Sequence, residues 1–166
     1  QSQLPLYQYI ELMVSREIAG QKRVLDVGNG GFFNYDTALA SQVTAVDLFL
    51  IDGPGPTPNS VFKQGSILDI PFPDCAFDCI LLQNVLHHVT GRSVRENCAN
   101  LTRSIDELYR CTATGGKVVI IESTVGRWFY AVESVLFPIV VRVKRGGHPV
   151  TFQFTPSQII STARTR

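Results

Sequence analysis

The chain has 166 residues, of which 45% are hydrophobic and 17% charged, so it is neither disordered nor too short to bury a core of its own. Its formal net charge of +1, without a long run of lysine or arginine, gives no electrostatic reason to expect a nucleic-acid partner. Its four cysteines include no CxxC pair, and together with three histidines they form no zinc pattern. No metal site is therefore predicted, and free thiols in a reducing cytoplasm are expected.

The first predicted element is an amphipathic helix over residues 6–19. Its apolar residues recur near helical spacing, and Gly20 supplies a stop. Two roles are open for this helix. It covers one face of a sheet, or it closes as a lid over a ligand.

Residues 23–35 read RVLDVGNGGFFNY, a short apolar strand that runs into clustered glycines. Such glycines allow a sharp turn with positive φ and let a ligand approach the backbone closely. A helix is predicted over residues 35–41, and its free N-terminal amides would suit a polar or anionic ligand. Taken alone, the glycines fit a tight turn without a ligand as well.

Asp47 strengthens the ligand interpretation. It ends the second predicted strand, residues 43–47, and an acidic residue roughly 20 residues after the first glycine is where a nucleotide ribose is bound. The glycine cluster and Asp47 together favour a nucleoside-containing cofactor.

The rest of the central region alternates strands with helical or loop segments. Residues 51–60 are rich in proline and glycine and are predicted as a loop, followed by a short strand over 61–64. Residues 77–83 have the near-continuous apolar character of a central parallel strand. An amphipathic helix is predicted from 94 to about 110, then a Gly115-Gly116 turn and a fifth strand over 117–122. This alternation predicts a doubly wound α/β sheet, mostly parallel.

The C-terminal region has a different character. Residues 128–143 are strongly apolar but too short and interrupted for a membrane-spanning helix. They form either a helix that covers the sheet or the active site, or, over 128–145, a surface for peripheral membrane contact or a lipid-like substrate. Aromatic residues lie at one end of this stretch and basic residues at the other. A further helix is predicted to begin at Thr155-Pro156.

Four motifs in order resemble the class I S-adenosylmethionine-dependent methyltransferases of the small-molecule, type 11-like kind. They are VLDVGNGG, AVDL, GSILDIPFPDCAFDCILLQNVLHHV and ELYRCTATGGKVVIIE, and they lie between Arg23 and Glu122. The resemblance implies a Rossmann-like sheet with strand order 3-2-1-4-5, S-adenosyl-L-methionine as cofactor and S-adenosyl-L-homocysteine as product.

The resemblance also implies a cofactor site at the carboxyl ends of the strands. The methionine end would be lined by Asp26, Gly28, Asn29, Gly30 and, through its backbone, Gln83. Asp47 would accept both ribose hydroxyls, since a carboxylate has two oxygens. Adenine would contact Leu48, Ser66 and Ile67.

The chain departs from the family pattern at three places. Phe32 stands where a third glycine is frequent, so the loop is expected to be reshaped. Ser66 stands where the family often has Asp, which predicts weaker cofactor binding. Too few residues follow Pro156 for a helix and the usual closing pair of strands, so this C-terminal hairpin is expected to be incomplete, and catalytic competence is left open.

Methyl transfer needs a general base only when the acceptor must lose a proton. His88, after the fourth strand, and Glu122, at the end of the fifth, are the candidates for a base or an acceptor contact, and His148 is a third. No Asn/Asp-Pro-Pro-aromatic segment and no Pro-Cys pair is present, which argues against nucleic-acid bases as acceptors. A small molecule, a lipid or a saccharide precursor is expected instead.

The predicted organisation is one domain over residues 1–166. It comprises an N-terminal helix (1–20), a cofactor-binding core (21–122) and a variable cap or substrate region (123–166). Two rival functions stay open. One is an NAD(P)-dependent oxidoreductase, although its fingerprint would put glycine at Phe33. The other is a non-catalytic scaffold that keeps the fold without turnover.

Overall fold

The computed structural model describes residues 5–49, 57–143 and 150–166. Within them, five parallel strands form one sheet in the order β3-β2-β1-β4-β5. The strands are β1 (Arg23–Val27), β2 (Gln42–Asp47), β3 (Ser60–Gln64), β4 (Phe77–Gln83) and β5 (Thr112–Ile121). The helices are α1 (Leu6–Ile18), α2 (Val94–Cys111), α3 (Arg127–Val143) and α4 (Pro156–Arg164). The predicted Rossmann-like sheet and its strand order are confirmed.

The alternation of side chains along the central strands divides the core into two layers. On one face, Val24 and Leu81 pack against Val14 and Ile18 of α1. On the other face, alternate residues such as Leu25 and Ile80 of the same strands pack against α2, α3 and α4. Helix α1 therefore covers one face of the sheet, the first of the two roles that its sequence left open.

The helix predicted over residues 35–41 is wrong. The structure has a single 3₁₀ turn there, Thr37–Leu39, because a side chain distant in sequence takes the carbonyl groups that a helix would need. Asn59 donates through Nδ2 to the carbonyl oxygens of Thr37 at 2.7 Å and Ala40 at 3.0 Å. The amide of Ser41, which would close an α-helical turn onto Thr37, instead donates to Gln21 O at 2.9 Å.

The fifth strand begins earlier than predicted, at Thr112, and it contains the Gly115-Gly116 pair instead of following it. The pair forms an irregularity in which the five residue steps from Thr112 to Lys117 lie opposite two steps of β4. Gly115 has a φ of +77°, and a Cβ on Gly116 would lie 2.9 Å from the carbonyl oxygen of Asp78. The glycines thus turn the chain inside the strand.

The C-terminal helices follow the sequence closely. Thr155 caps α4, with Pro156 in the first turn and Gln158 completing a capping box, as the Thr-Pro signal predicts. Helix α3 spans the apolar stretch and packs one face on the core through Phe137. In the described part of the chain, no helix combines the length and the apolarity that a membrane crossing requires. His148 and most of the 51–60 loop lie outside the described residues.

Candidate active site

A pocket of about 400 Å³ opens at the carboxyl ends of β1, β2 and β4. The loop after β3 and one residue of α2, Asn100, complete its wall. Six of the residues singled out from the sequence line it: Gly28, Asp47, Leu48, Ser66, Ile67 and His88. No residue of α1 is among the lining residues, so this helix is not a lid over the pocket described here.

The other five candidates lie around the pocket without lining it: Asp26, Asn29, Gly30, Gln83 and Glu122. Gln83 ends β4 and forms a reciprocal amide pair with Asn34, with N–O distances of 3.0 and 3.2 Å. This pair ties the glycine loop to β4. The loop therefore has a fixed position relative to the pocket although no helix follows it.

Asp47 holds the glycine loop directly. Its Oδ2 accepts a hydrogen bond from the amide of Gly30 at 2.8 Å, and its Oδ1 accepts one from the amide of Phe49 at 2.9 Å. The prediction that a helix N-terminus presents free amides to a ligand is therefore wrong. Only a 3₁₀ turn follows the glycine loop, and the Gly30 amide already donates a hydrogen bond to Asp47. Each Asp47 oxygen keeps a second lone pair for another donor.

The two glycines of the GxG motif have different surroundings. A Cβ on Gly28, whose φ is +75°, would lie 2.4 Å from Cγ2 of Val85, so the loop packs tightly against the segment after β4. A Cβ on Gly30, with a φ of +64°, would meet nothing within 4 Å. Gly28 is thus required by packing, whereas a side chain at Gly30 would extend into open space.

Asp26 is buried in the middle of the sheet. Its Oδ2 accepts a hydrogen bond from the hydroxyl of Tyr35 at 2.8 Å, while its Oδ1 has no hydrogen-bond partner. Burial raises the pKa of Asp26 to about 7, against the lowering effects of Tyr35 and Asn29. The side-chain nitrogen of Asn29 is likewise buried and unpartnered. The Asn29 amide is thus near enough to Asp26 to lower its pKa, and the two buried polar groups lie together beside the glycine loop.

The loop that carries Ser66 and Ile67 is fixed by α2. Glu107 accepts the amide of Ile70 at 2.8 Å, and Arg110 donates to the carbonyl oxygens of Ile70 and Phe72 at 3.0 and 2.8 Å. Ser66 Oγ accepts the amide of Leu68 at 3.1 Å. One lone pair of this hydroxyl is therefore used within the loop, while its O–H can still donate.

A 3₁₀ turn, Leu86–His88, carries the two histidines past the end of β4. The side chain of Glu122 is almost completely buried beneath this turn. It accepts a hydrogen bond from the Leu86 amide at 2.7 Å and another from Nδ1 of His87 at 2.6 Å. His88 faces the pocket, with its ring centroid 4.1 Å from that of His87. Burial lowers the pKa of His88, as does His87, while Glu122 opposes them. The net effect holds the pKa of His88 below the ordinary histidine value.

Several lining residues were not among the candidates that the sequence suggested. Asn84 follows Gln83 directly, lines the pocket and adopts a φ of +54°, which asparagine tolerates better than most residues. Val85, Phe49 and Asn100 also line the pocket. The position of Asn84 at the end of a buried strand was a usable signal for it. Whether Asn100 reaches the pocket depends on how α2 packs, and the sequence gives no sign of that.

The comparisons with known proteins agree with this arrangement. A family model described as a methyltransferase domain matches residues 25–120. A candidate methyltransferase of Encephalitozoon cuniculi (strain GB-M1) is 37% identical over 57 residues, which cover 34% of this chain and 24% of that protein.

Among solved structures, the YcgJ protein of Bacillus subtilis has a TM-score of 0.64 at 18% identity, over 94% of this chain and 66% of that one. An S-adenosylmethionine-dependent methyltransferase of Methanosarcina mazei has a TM-score of 0.64 at 16% identity, over 92% of this chain and 82% of that one. At such low identity, these structures establish a shared fold.

The contact between Gly28 and Val85 can be tested by a double-mutant cycle. Gly28→Ala should lower the free energy of unfolding by about 2–4 kcal/mol, since it adds backbone strain and a clash with Val85. Gly30→Ala is the matched control and should cost about 1–2 kcal/mol, since it adds strain alone. In a Val85→Ala background, Gly28→Ala should cost less. Urea denaturation of the four proteins and the double variant measures this, and equal costs at both glycines would contradict the packing role.

The raised pKa of Asp26 predicts a pH-dependent stability. The ordinary pKa of this carboxyl is 3.8, so between about pH 4 and pH 7 the folded protein keeps a proton that the unfolded chain releases. This carboxyl therefore makes the folded state less stable as the pH rises through that window. The free energy of unfolding of Asp26→Asn should therefore increase relative to that of the natural chain as the pH rises, by at most about 1.4 kcal/mol per pH unit.

Urea denaturation of both proteins at pH 5, 6 and 7 checks this difference. The other titrating groups contribute equally to both proteins and cancel. A stability difference that stays constant with pH would mean that Asp26 is ionised throughout.

Proposed function

The chain belongs to the class I S-adenosylmethionine-dependent methyltransferases, since the methyltransferase-domain model matches more than half of its length, and we propose that it methylates a small-molecule, lipid or saccharide-type acceptor. One observation carries this proposal. The carboxylate expected to bind a ribose, Asp47, and the candidate base, His88, open onto the same pocket.

The methionine end of the cofactor has a fitting environment beside the glycine loop. Asp26 is a buried carboxyl whose Oδ1 could accept a hydrogen bond from the ammonium group of the cofactor, and Asn29 Nδ2 is a buried donor beside it. Gly30 leaves open space where its side chain would be. When bound, the cofactor supplies an activated methyl group on a sulfonium, and the chain binds, orients and desolvates it.

The nucleoside end would lie across the pocket. Asp47 would accept the ribose hydroxyls with the lone pairs that Gly30 and Phe49 leave free. Leu48 and Ile67 would pack on the adenine. Since Ser66 Oγ already accepts the Leu68 amide, we expect it to donate to a ring nitrogen of adenine more readily than to accept from the amino group.

His88 would be the group that takes a proton from a hydroxyl or amine acceptor. Its lowered pKa supports this role, because a general base must be unprotonated near neutral pH. Glu122, the other candidate, accepts the Leu86 amide and holds His87, and this points to a positioning role. It would keep the histidine turn in place, and its negative charge would raise the pKa of His88.

The acceptor would enter beside His88, next to the C-terminal cap region. Val150 O accepts the hydroxyl of Thr90, and Thr90 lines the pocket. Residues from 123 onward would therefore shape the acceptor side of the site.

A cofactor-binding scaffold without turnover is the second candidate. It is favoured by the glycine loop, which has no following helix and whose Gly30 amide is bonded within the protein.

Calorimetric titration with S-adenosylmethionine, S-adenosylhomocysteine and reduced nicotinamide dinucleotide, followed by an acceptor screen for S-adenosylhomocysteine release, separates the candidates. Binding of the sulfur nucleosides with turnover supports the methyltransferase. Binding without any turnover supports the scaffold, and binding of the nicotinamide alone supports an oxidoreductase.

Asp47→Ala should weaken S-adenosylhomocysteine binding by about 2–4 kcal/mol, because it removes a charged acceptor for two hydroxyl groups. It also releases the Gly30 amide, so ligand and protein must be varied together. A 2′-deoxy analogue of S-adenosylhomocysteine should bind the natural chain more weakly than the parent ligand, but should lose little in Asp47→Ala. Equal losses in both proteins, measured by calorimetry, would place the ribose elsewhere.

The role of Glu122 can be separated from that of His88. The pKa of His88, measured by NMR from its ring carbon–proton signals, should lie below 6.5 and should fall further in Glu122→Gln, since the opposing negative charge is lost. With a proton-bearing acceptor from the screen, His88→Gln should lower kcat by about 10²- to 10⁴-fold and keep cofactor binding. A kcat that is unchanged in His88→Gln would exclude His88 as the base.

A further inference from the structure

Helix α3 is apolar on two opposite faces. Its inner face packs on the core through Tyr130, Phe137 and Val141. Its outer face carries eight large hydrophobic side chains that are 44–85% exposed: Trp128, Phe129, Val132, Val135, Leu136, Ile139, Val140 and Val143. We call these eight residues the outer stripe. They recur every three or four residues, which places them on one side of the helix.

An apolar patch of this kind on a folded protein marks a surface that binds something. The outer stripe includes a groove of about 320 Å³ that is lined by apolar side chains alone, those of Trp128, Ala131, Val132, Val135 and Leu136. A helix that is hydrophobic all round is normally buried. In the described part of the chain, these side chains are left in solvent, so their partner lies outside it.

The charges around the outer stripe indicate what that partner is. Exposed arginines, Arg127 and Arg142, lie at the two ends of the helix. Glu133 is the single acidic residue of α3, and it is turned inward, where its carboxylate accepts the Gln153 amide at 3.1 Å. In sequence, Lys144 and Arg145 follow the helix and add two more positive charges. The outer stripe is therefore flanked by positive charge with no exposed acid on α3 to balance it.

A second copy of the chain is a poor match for this surface. An antiparallel pair of α3 helices would bring Arg127 of one copy near Arg142 of the other, and a parallel pair would bring each arginine near its equivalent. Both arrangements place like charges together with no acid on the helix to separate them. An anionic lipid surface offers apolar chains for the outer stripe and negative headgroups for the arginines.

We propose that α3 is an interfacial helix that docks the protein on a bilayer containing anionic lipid. The outer stripe enters the boundary between headgroups and acyl chains, and Arg127 and Arg142 bind the headgroup phosphates. The inner face stays packed on the core, so docking requires no unfolding of the helix. This proposal is independent of methyl transfer, because binding to vesicles requires neither cofactor nor acceptor.

The inner face of α3 is linked to the turn that carries His88. Phe152 contacts both Phe137 and Tyr130 of α3, with ring centroids 5.0 and 5.6 Å apart. The amide of Phe152 donates to His87 O at 2.9 Å, in the turn that carries His88. A single buried residue thus links the docked helix to the histidine turn.

The chain carries its own reporter for the test. Trp128 is its single tryptophan, and it is 85% exposed in the outer stripe. With phosphatidylcholine–phosphatidylserine vesicles, the protein should sediment with the lipid, and its tryptophan emission should shift to shorter wavelength. Lipids brominated on the acyl chain should quench that emission. Phosphatidylcholine vesicles should bind it more weakly, and inorganic phosphate alone should leave the emission unchanged.

Two matched variants locate the docking surface. Ile139 in the outer stripe and Leu12 on α1 are both 57% exposed. Ile139→Glu should abolish vesicle binding, whereas Leu12→Glu should keep it. Arg127→Gln and Arg142→Gln should each weaken binding to the anionic vesicles by roughly fivefold. Circular dichroism of each variant checks that the fold is retained.

Four results would overturn the proposal. They are no sedimentation with anionic vesicles, equal loss in Ile139→Glu and Leu12→Glu, equal binding to neutral and anionic vesicles, and a blue-shifted emission before lipid is added. In the last case, sedimentation equilibrium identifies the occupant. A dimer would assign the outer stripe to a second copy, and a monomer would assign it to the chain itself.

Discussion

The pocket depends on carboxylates that each hold a loop by a backbone amide. Asp47 accepts a hydrogen bond from the amide of Gly30 at 2.8 Å, and Glu107 accepts one from the amide of Ile70 at 2.8 Å. Glu122 accepts one from the amide of Leu86 at 2.7 Å. Hydrogen bonds to an ionised acceptor are stronger than those between neutral groups, so each loop has a well-defined position. Three separate loops are thus fixed around one cavity, and the cavity keeps its shape without a helix after the first strand.

This arrangement links loop order to ligand binding at Asp47. The same carboxylate holds the glycine loop and would bind the ribose. Gly30 and Phe49 use one lone pair of each oxygen, and a ribose would use the others. A bound ribose would therefore add to the bonds that order the loop instead of replacing them. This is consistent with a site that is largely formed before the ligand arrives.

Local patterns in the sequence predicted β1 to β4, α1, α2 and the start of α4 well, because burial on one or both faces and capping residues leave a local signature. They failed at residues 35–41, where Asn59 donates hydrogen bonds to the carbonyl oxygens of Thr37 and Ala40. A contact between residues so far apart in sequence leaves no local signal. The candidate site shows the same limit. His87 and His88 are adjacent in sequence, and the 3₁₀ turn after β4 decides which of them faces the pocket. Glu122 likewise gives no sequence signal that distinguishes a base from a support for backbone amides.

Helix α3 packs one face on the core, which is the first alternative for its sequence, and leaves the opposite face exposed. Its inner residues cover the sheet through Phe137, and its outer residues remain for a partner. Covering the sheet would need apolar residues on one side alone, so the outer stripe is not explained by folding. Phe152 lies between this helix and the histidine turn, with its ring against Phe137 and its amide on His87. One buried residue therefore connects the inner face of α3 to the turn that carries His88.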